Sequence, residues 1–317
     1  MLTPTYGDVK AAAARVDQVV RPLTVLAADR DTVPNAEVFL ALEFLQHTGS
    51  FKARGAANLV AALRETDALP AAGLIASTGL NADFGFAWAA QRFGVPATVF
   101  LAHDANPAKL ERLRGFGADV RVGGATQADA QRAAQEFADR TGAIDAYTYD
   151  DTATSAGAGT ILLELAEAVT DLDTVVVAVG AGGMFAGITA AADHLGIRVV
   201  GAEPEGSQAL HAALAADSVL DVEVDSVAAD SLGALRISAA ALEWARAADV
   251  HSVVVDDAAI IATRQVVWER YRLAIEHGAA TGLAALRTGA YRPRPGERIG
   301  VILCGANTNP GDLIGAK

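Results

Sequence analysis

The chain has 317 residues, 52% of them apolar and 20% charged, with a mean hydropathy of +0.27 and a formal net charge of −13 from 25 basic and 38 acidic side chains. A chain of this length buries a sizeable core in one large domain or two smaller ones, and its apolar fraction excludes a disordered protein. The acidic balance argues against a nucleic-acid partner, whose phosphates need clustered Lys and Arg, and the single cysteine, Cys304, excludes a disulfide framework or a thiolate zinc site.

In chain order, the amino end MLTPTYGDVK shows no basic patch followed by an apolar run, so no secretory leader is expected. No later stretch approaches the ~18 apolar residues of a membrane span. Short β-like runs at 38–42, 73–77, 97–101, 119–122, 174–179, 199–202, 252–255 and 299–303 alternate with helical patterns at 82–93, 105–116, 128–140, 158–170 and 258–274. Several of the runs are almost wholly apolar, as strands covered on both faces are. The alternation therefore predicts βαβ units with parallel sheets in a cytoplasmic α/β protein. A polar stretch at 142–154, GAIDAYTYDDTAT, reads as a loop that ends one α/β unit and returns the chain to another.

Only four of the basic residues are lysine. Lys10 falls on a surface helix pattern, Lys317 is the last residue, and Lys109 opens a helix of mixed charge that is expected to face water. Lys52 sits instead in LEFLQHTGSFKARGAANLV, among small and apolar neighbours. Its readings are an ordinary helix-face lysine or a buried amine of lowered pKa. Further on, VVVAVGAGGMFAGITAAADHLG runs a β-branched strand into Gly180, Ala181, Gly182 and Gly183, then into a helix containing Gly187. Glycines there permit tight turns and close ligand approach, and the amides of a helix start attract an anion. The loop thus reads as a phosphate cradle, against a tight connection that binds nothing. Glu203 lies where dinucleotide folds place a ribose-binding acid, but Phe185 occupies the third glycine position of G-x-G-x-x-G, which leaves a nicotinamide cofactor only as a competing reading.

Four segments in order, TGSFKARGA around Lys52, the Thr78-Gly-Leu-Asn81 segment, GAGGMFAG and VILCGAN, resemble the fold-type II pyridoxal-phosphate enzymes. Within these the chain is most similar to the serine/threonine dehydratase branch, which includes serine racemases. The resemblance spans roughly residues 20 to 310. It implies two open twisted parallel-sheet α/β domains with helices on both faces, as in tryptophan synthase beta-like proteins, with the cofactor in the cleft between them. The larger, cofactor-binding domain would comprise residues 1–55 and 150–317, and the smaller, mobile substrate domain residues 56–149.

By the same resemblance, Lys52 would form a Schiff base with pyridoxal 5'-phosphate, with Phe51 beside it. Gly180, Ala181, Gly182, Gly183 and Met184 would receive the cofactor phosphate on their main chain. Asn81 would bond the ring hydroxyl, and Cys304 would face the ring nitrogen. Ser77, Thr78, Gly79, Leu80, Asn81 and Ala82 would hold the substrate carboxylate, with a hydroxyl supplied by Thr78. Taken alone, Cys304 reads as a small buried residue, Asn81 as a helix cap and Thr78 as a strand end.

The chain departs from the family pattern at Leu80, where glycine is usual, at Ala82, where histidine is frequent, and at Asp83, an acid that would repel a carboxylate unless it turns away. Gly79 stands where racemases carry a proton-donating serine, which demotes racemisation. Ala209 stands where many relatives place the second acid of a metal site that begins at a Glu-Pro pair such as Glu203-Pro204, so no metal is expected. The histidines show no ligand spacing; His47 is weighed as a site-lining or surface residue, and Glu276 as an acid near the cofactor or a helix-end carboxylate.

The activity implied is dehydration and deamination of L-threonine or L-serine to a 2-oxo acid and ammonia, by a homodimer whose only other partner is its small amino-acid substrate. No regulatory domain is expected beyond the last strand. The competing readings are a threonine synthase-like or cysteine synthase-like replacement enzyme, a serine racemase, a nicotinamide-dependent oxidoreductase and a non-catalytic relative.

Overall fold

The structure, a computed structural model, describes residues 3–79, 81–146 and 151–314. Helix α1 (Tyr6–Val16) is followed by β1 (Val25–Ala27), β2 (Ala36–Ala41), a single 3-10 turn at Glu43–Leu45, α2 (Lys52–Glu65) and β3 (Leu74–Ala76). Next come α3 (Asn81–Phe93), β4 (Ala97–Leu101), α4 (Pro107–Gly115), β5 (Asp119–Val122), α5 (Gln127–Thr141) and β6 (Ile144–Asp145). The chain continues through α6 (Thr152–Ala168), β7 (Thr174–Ala178), α7 (Gly183–Leu195), β8 (Arg198–Pro204), α8 (Ala209–Ala216), α9 (Ala229–Leu232) and α10 (Ala239–Ala247). It closes with β9 (Val250–Val255), α11 (Asp257–Tyr271), α12 (His277–Thr288) and β10 (Glu297–Ile302).

The strands form two sheets. One has the order β1-β2-β10-β7-β8-β9 and is parallel apart from β1, which pairs antiparallel with β2 at the edge. The other has the order β5-β4-β3-β6 and is parallel throughout. The chain enters the six-stranded sheet, leaves through α2 for the four-stranded one, and returns through α6. Every residue of β7 is buried, which is why TVVVA carries no alternation: helices cover both faces of a parallel sheet. Strand β1, with three residues and an exposed end, and β6, with two, carry too little apolar pattern to be read from sequence.

The proposed domain boundary at 55/56 falls inside α2, so the hand-over between the two units runs along a continuous helix; the one at 149/150 lies outside the described residues.

The loop expected at 142–154 is corrected by β6 at 144–145 and by helix α6 from 152 on, while its residues 147–150 lie outside the described residues. The helix begins at Thr152, where the Asp151 carboxylate caps the main-chain amide of Thr154. Its first turns, TATSAGAG, hold glycine and β-branched residues of poor helix propensity, and the sequence therefore reads as a loop. Packing overrides propensity here. A Cβ at Gly187 of α7 would stand 1.8 Å from the Ser155 carbonyl oxygen, and one at Gly157 would stand 2.7 Å from the Arg54 carbonyl. Small residues let α6 lie against α7 on one side and α2 on the other, which fixes the glycine loop and the lysine helix relative to each other.

A buried charge cluster anchors α2. Arg54 is fully buried; its Nη2 and Nε donate to Glu43 Oε1 at 2.7 and 3.0 Å, and its Nη1 donates to Thr160 at 3.1 Å and to Glu164. Burial pushes the Glu43 carboxyl above the usual range against the pull of Arg54. Removing the cation would leave Glu43 buried without a counter-charge, so Arg54→Met is expected to cost about 3–5 kcal/mol of folding free energy, read from the urea midpoint.

Candidate active site

Lys52 is the first residue of α2, and Phe51 is its N-cap. Three contacts fix this start. The Phe51 amide donates to the Cys304 carbonyl at 2.9 Å, Ser50 bridges to Gly305, and α3 passes so close that a Cβ at Gly85 would stand 2.9 Å from the Lys52 carbonyl oxygen. The amine lies 4.9 Å from the centroid of the Phe51 ring. Burial lowers its pKa below that of an ordinary lysine, although part of the side chain stays open to a cavity. That cavity holds about 1060 Å³ of empty space, part of it continuous with solvent. Asn81, Ala82, Phe86 and Ala146 line it from the four-stranded unit, and the glycine loop, α9, Glu276 and Cys304 line it from the six-stranded unit.

The glycine loop forms the wall at the start of α7. Gly180, Ala181, Gly182, Gly183 and Met184 all border the cavity. Gly182 is the N-cap of α7, with φ +92°, and no side chain caps the helix. A Cβ at Gly182 would lie 2.5 Å from the Ala241 Cβ and 2.7 Å from Ile237 Cδ1. Glycine is thus required both by the backbone conformation and by the packing beneath it. The first-turn amides of α7 lack helical partners, and such amides suit an anion.

The polar wall is built around Glu276, the N-cap of α12, which is 2% exposed. Asn81 Nδ2 donates to its two oxygens at 2.9 and 3.1 Å, and the Asn307 main-chain amide donates to Oε1 at 2.7 Å. Burial pushes the Glu276 carboxyl up to about 7, while these two donors pull it down. Cys304 is buried, and its thiol pKa is raised by burial and then by Glu276, so the thiol stays neutral.

The expected carboxylate loop divides. Asn81, the first residue of α3, and Ala82 border the cavity; Ser77, Thr78 and Gly79 do not, and Leu80 lies outside the described residues. The Thr78 hydroxyl and amide both donate to Asp83 Oδ1, at 2.8 and 2.9 Å. Asp83 is fully buried and turned beneath the loop, where its Oδ2 lies 3.3 Å from Lys109 Nζ. Lys109 therefore does not face water, as its mixed-charge segment suggested: it is pulled inward by the buried acid, and its side chain is 15% exposed. From the other side, Gln127 Nε2 donates to the Ser77 carbonyl and hydroxyl at 3.0 and 3.2 Å.

Several residues outside the predicted set also belong to the site. Asn307, three residues after Cys304, gave a signal in being polar just beyond a buried strand. Arg112, in a helix of mixed charge, gave none. Thr154, Ser155 and Ser231 bring hydroxyls to the cavity wall, and Thr154 Oγ1 has no hydrogen-bond partner among the described residues. Glu203 is fully buried and accepts the amides of Leu210 and His211 at 2.7 and 2.8 Å, away from the glycine loop. His47 stacks on Trp88 outside the cavity. Among the described residues, no group of three or more His, Cys, Asp or Glu is placed to hold a metal ion, and no helix is long and apolar enough to cross a membrane.

An amine screened from water, set across a cavity from a helix start with unpaired amides, is the arrangement that a covalently held, phosphate-bearing cofactor requires. The family model described as pyridoxal-phosphate dependent enzyme matches residues 16–305. The phenylserine dehydratase of Ralstonia pickettii is 34% identical over 315 residues, covering 97% of this chain and 95% of the relative. The L-threonine ammonia-lyase of Thermotoga maritima is 30% identical over 306 residues, covering 96% of this chain and 75% of the relative. Among solved structures, maize serine racemase matches with a TM-score of 0.91 and 26% identity, covering 99% of this chain and 96% of that one. The chain belongs to the fold-type II pyridoxal-phosphate-dependent enzymes.

Two expectations follow. Gly182→Ala forces a side chain onto Ala241 and Ile237 at a left-handed backbone position, so cofactor affinity in an absorbance titration is expected to fall about tenfold or more, while the far-ultraviolet circular dichroism is retained. A Glu276 pKa raised above 4.5 means that the folded state binds this proton more tightly than the unfolded one. Its contribution to stability is therefore present below 4.5 and lost as pH rises to about 7. Over that window the unfolding midpoint of the wild type is expected to fall relative to that of Glu276→Gln.

Proposed function

We propose that this chain dehydrates and deaminates a β-hydroxy-α-amino acid, L-threonine or L-serine, giving a 2-oxo acid and ammonia. The observation that carries the reading is the single cavity shared by the Lys52 amine, the glycine loop at the start of α7 and the neutral thiol of Cys304. The relatives named as a threonine ammonia-lyase and a phenylserine dehydratase support it.

The residues fit the family's cofactor by their own chemistry. The Gly182, Gly183 and Met184 amides would receive its phosphate, in a turn where a Cβ at Gly182 has no room. Lys52 would hold its aldehyde carbon, and Phe51 lies beside the amine. When bound, pyridoxal phosphate supplies an electron-withdrawing ring that makes the substrate's α-proton acidic. Lys52, its pKa lowered by burial, is the base that takes that proton. The Cys304 thiol, neutral in its buried position, would offer the ring nitrogen no charged partner. A neutral partner at that position would favour loss of the β-hydroxyl over amino-group transfer. Apolar side chains of Phe86, Phe185 and Leu232 make part of the cavity wall, while Asn81 and Ala82 carry the substrate loop to its edge. The active species is a homodimer in the cytoplasm.

Racemisation is the second reading, favoured by the likeness to maize serine racemase. Gly79 weighs against it. Glycine donates no proton, and at φ +69° a Cβ there would also lie 3.0 Å from Gln127 Oε1, so a serine is not readily accommodated.

Purified wild type with added pyridoxal phosphate is expected to show a visible absorbance band that borohydride fixes to Lys52. It should release 2-oxo acid from L-threonine, L-serine or L-threo-3-phenylserine without a second substrate. Lys52→Ala should lack both band and turnover while keeping its fold. A D-serine yield from L-serine rivalling the pyruvate yield would replace dehydration by racemisation.

A further inference from the structure

Asn307 lies in the loop after β10 and does not border the cavity. Even so, it bonds two polar residues of the wall that do, Asn81 and Glu276. Its main-chain amide donates to Glu276 Oε1 at 2.7 Å, and its Nδ2 donates to Asn81 Oδ1 at 2.6 Å and to the Thr48 carbonyl at 2.9 Å. Its Oδ1 accepts from Arg112 Nη1. Asn81 in turn donates to both oxygens of Glu276. The three residues form a closed triangle, and the triangle fixes a direction: Asn81 accepts at its oxygen and donates at its nitrogen, so its carboxamide cannot turn over without losing bonds at both ends.

The triangle also joins the two units. Asn81 on α3 and Arg112 on α4 flank the four-stranded sheet, whereas Thr48, Glu276 and Asn307 belong to the six-stranded side. The Arg112 guanidinium stacks 4.7 Å from the Phe84 ring centroid, which holds its direction. Arg112 also lies close enough to Glu276 to draw its carboxyl pKa downward.

We propose that Asn307 is a positioning residue for the reaction. It sets the sense of the Asn81 carboxamide and the place of the Glu276 carboxylate at the cavity wall, and through Arg112 it makes that setting depend on the two units being together. The inference rests on the reading above, that this cavity seats the cofactor and the hydroxy amino acid. A hydrogen-bond triangle with one member outside the cavity gives the site an orientation that neither Asn81 nor Glu276 supplies alone.

Asn307→Asp keeps the size, the main-chain amide and an acceptor for Arg112; it removes the donor to Asn81 and Thr48 and puts a carboxyl group in its place, facing the same two acceptors. In the holoenzyme it is expected to shift the cofactor's absorbance maximum and to lower kcat about tenfold with a smaller change in KM; in an Asn81→Ala background the same substitution should lower kcat less than about twofold further, because its route of action is already gone. Equal losses in both backgrounds, or an unmoved band with unchanged kcat, would overturn the proposal. Should Asn307→Asp not fold, Arg112→Met carries the test: about threefold weaker cofactor binding and the same non-additivity with Asn81→Ala are expected, and full additivity counts against it. A wild type that shows no band with pyridoxal phosphate defeats the cavity reading and this proposal together. A coloured, active wild type with additive variants defeats this proposal alone.

Discussion

The structure turns on keeping one lysine amine out of water. A cation taken from solvent without a partner loses hydration that the protein must replace, or else the group gives up its proton. Burial pushes the Lys52 pKa down, toward the second course, and the residues around it make that possible. Its helix begins where the Phe51 amide bonds the Cys304 carbonyl, and α3 and α6 close over that turn because Gly85 and Gly157 present no side chains. Two residues on, Arg54 takes the opposite course and keeps its charge through bonds to Glu43, Glu164 and Thr160. The lysine whose pKa burial lowers is therefore held in place by an arginine whose charge is paired.

Asp83 illustrates how an apparent defect becomes a support. An acid two residues beyond Asn81 would oppose a substrate carboxylate if it faced the cavity. It is instead buried, accepts the amide and hydroxyl of Thr78, and stands beside Lys109. Its charge is matched within the four-stranded unit. Gln127 holds Ser77 from the other side, and the segment from Ser77 to Gly79 is gripped between them. The cost is that the Thr78 hydroxyl hydrogen is directed at Asp83 rather than at the substrate.

What the amino-acid sequence reveals here follows from which forces are local. The sheet strands are legible because burial on both faces writes uninterrupted apolar runs, as in TVVVA of β7. The lysine and the glycine loop are legible because a neutral amine and an anion cradle each demand an unusual local composition. The start of α6 is not, since its glycines serve a close approach to α2 and α7, which are remote in sequence. Lys109 misleads for the same reason: its partner Asp83 lies 26 positions earlier on another helix. Asn307 and Arg112 draw their roles from residues more than 190 positions away, as the Arg112–Asn307 and Asn81–Asn307 bonds show, and no spacing rule reaches that far.

The electrostatic plan of the site joins these parts. Burial drives each titratable group at the cavity wall toward its neutral form: it lowers the Lys52 amine, raises the Cys304 thiol and brings Glu276 up to about 7. The full charges stand behind the wall, in the Arg54–Glu43 and Lys109–Asp83 pairs and in Arg112. In a low-dielectric cavity, fixed ions along the wall would dominate any charge that develops during reaction, whereas neutral groups and oriented amides leave it to the bound molecules. Anion binding then falls to the start of α7, whose dipole and unpaired amides attract a phosphate without adding a titratable group. Because that start is fixed through the contact of Gly187 with α6, and α6 is in turn fixed against α2, the distance between the anion cradle and the lysine is set by helix packing together with the Arg54 bonds to Thr160 and Glu164. The charges that stabilise the fold thereby reach the amine only through its neighbours: Arg112 acts on Glu276 and Glu43 on Cys304, and these two in turn face Lys52.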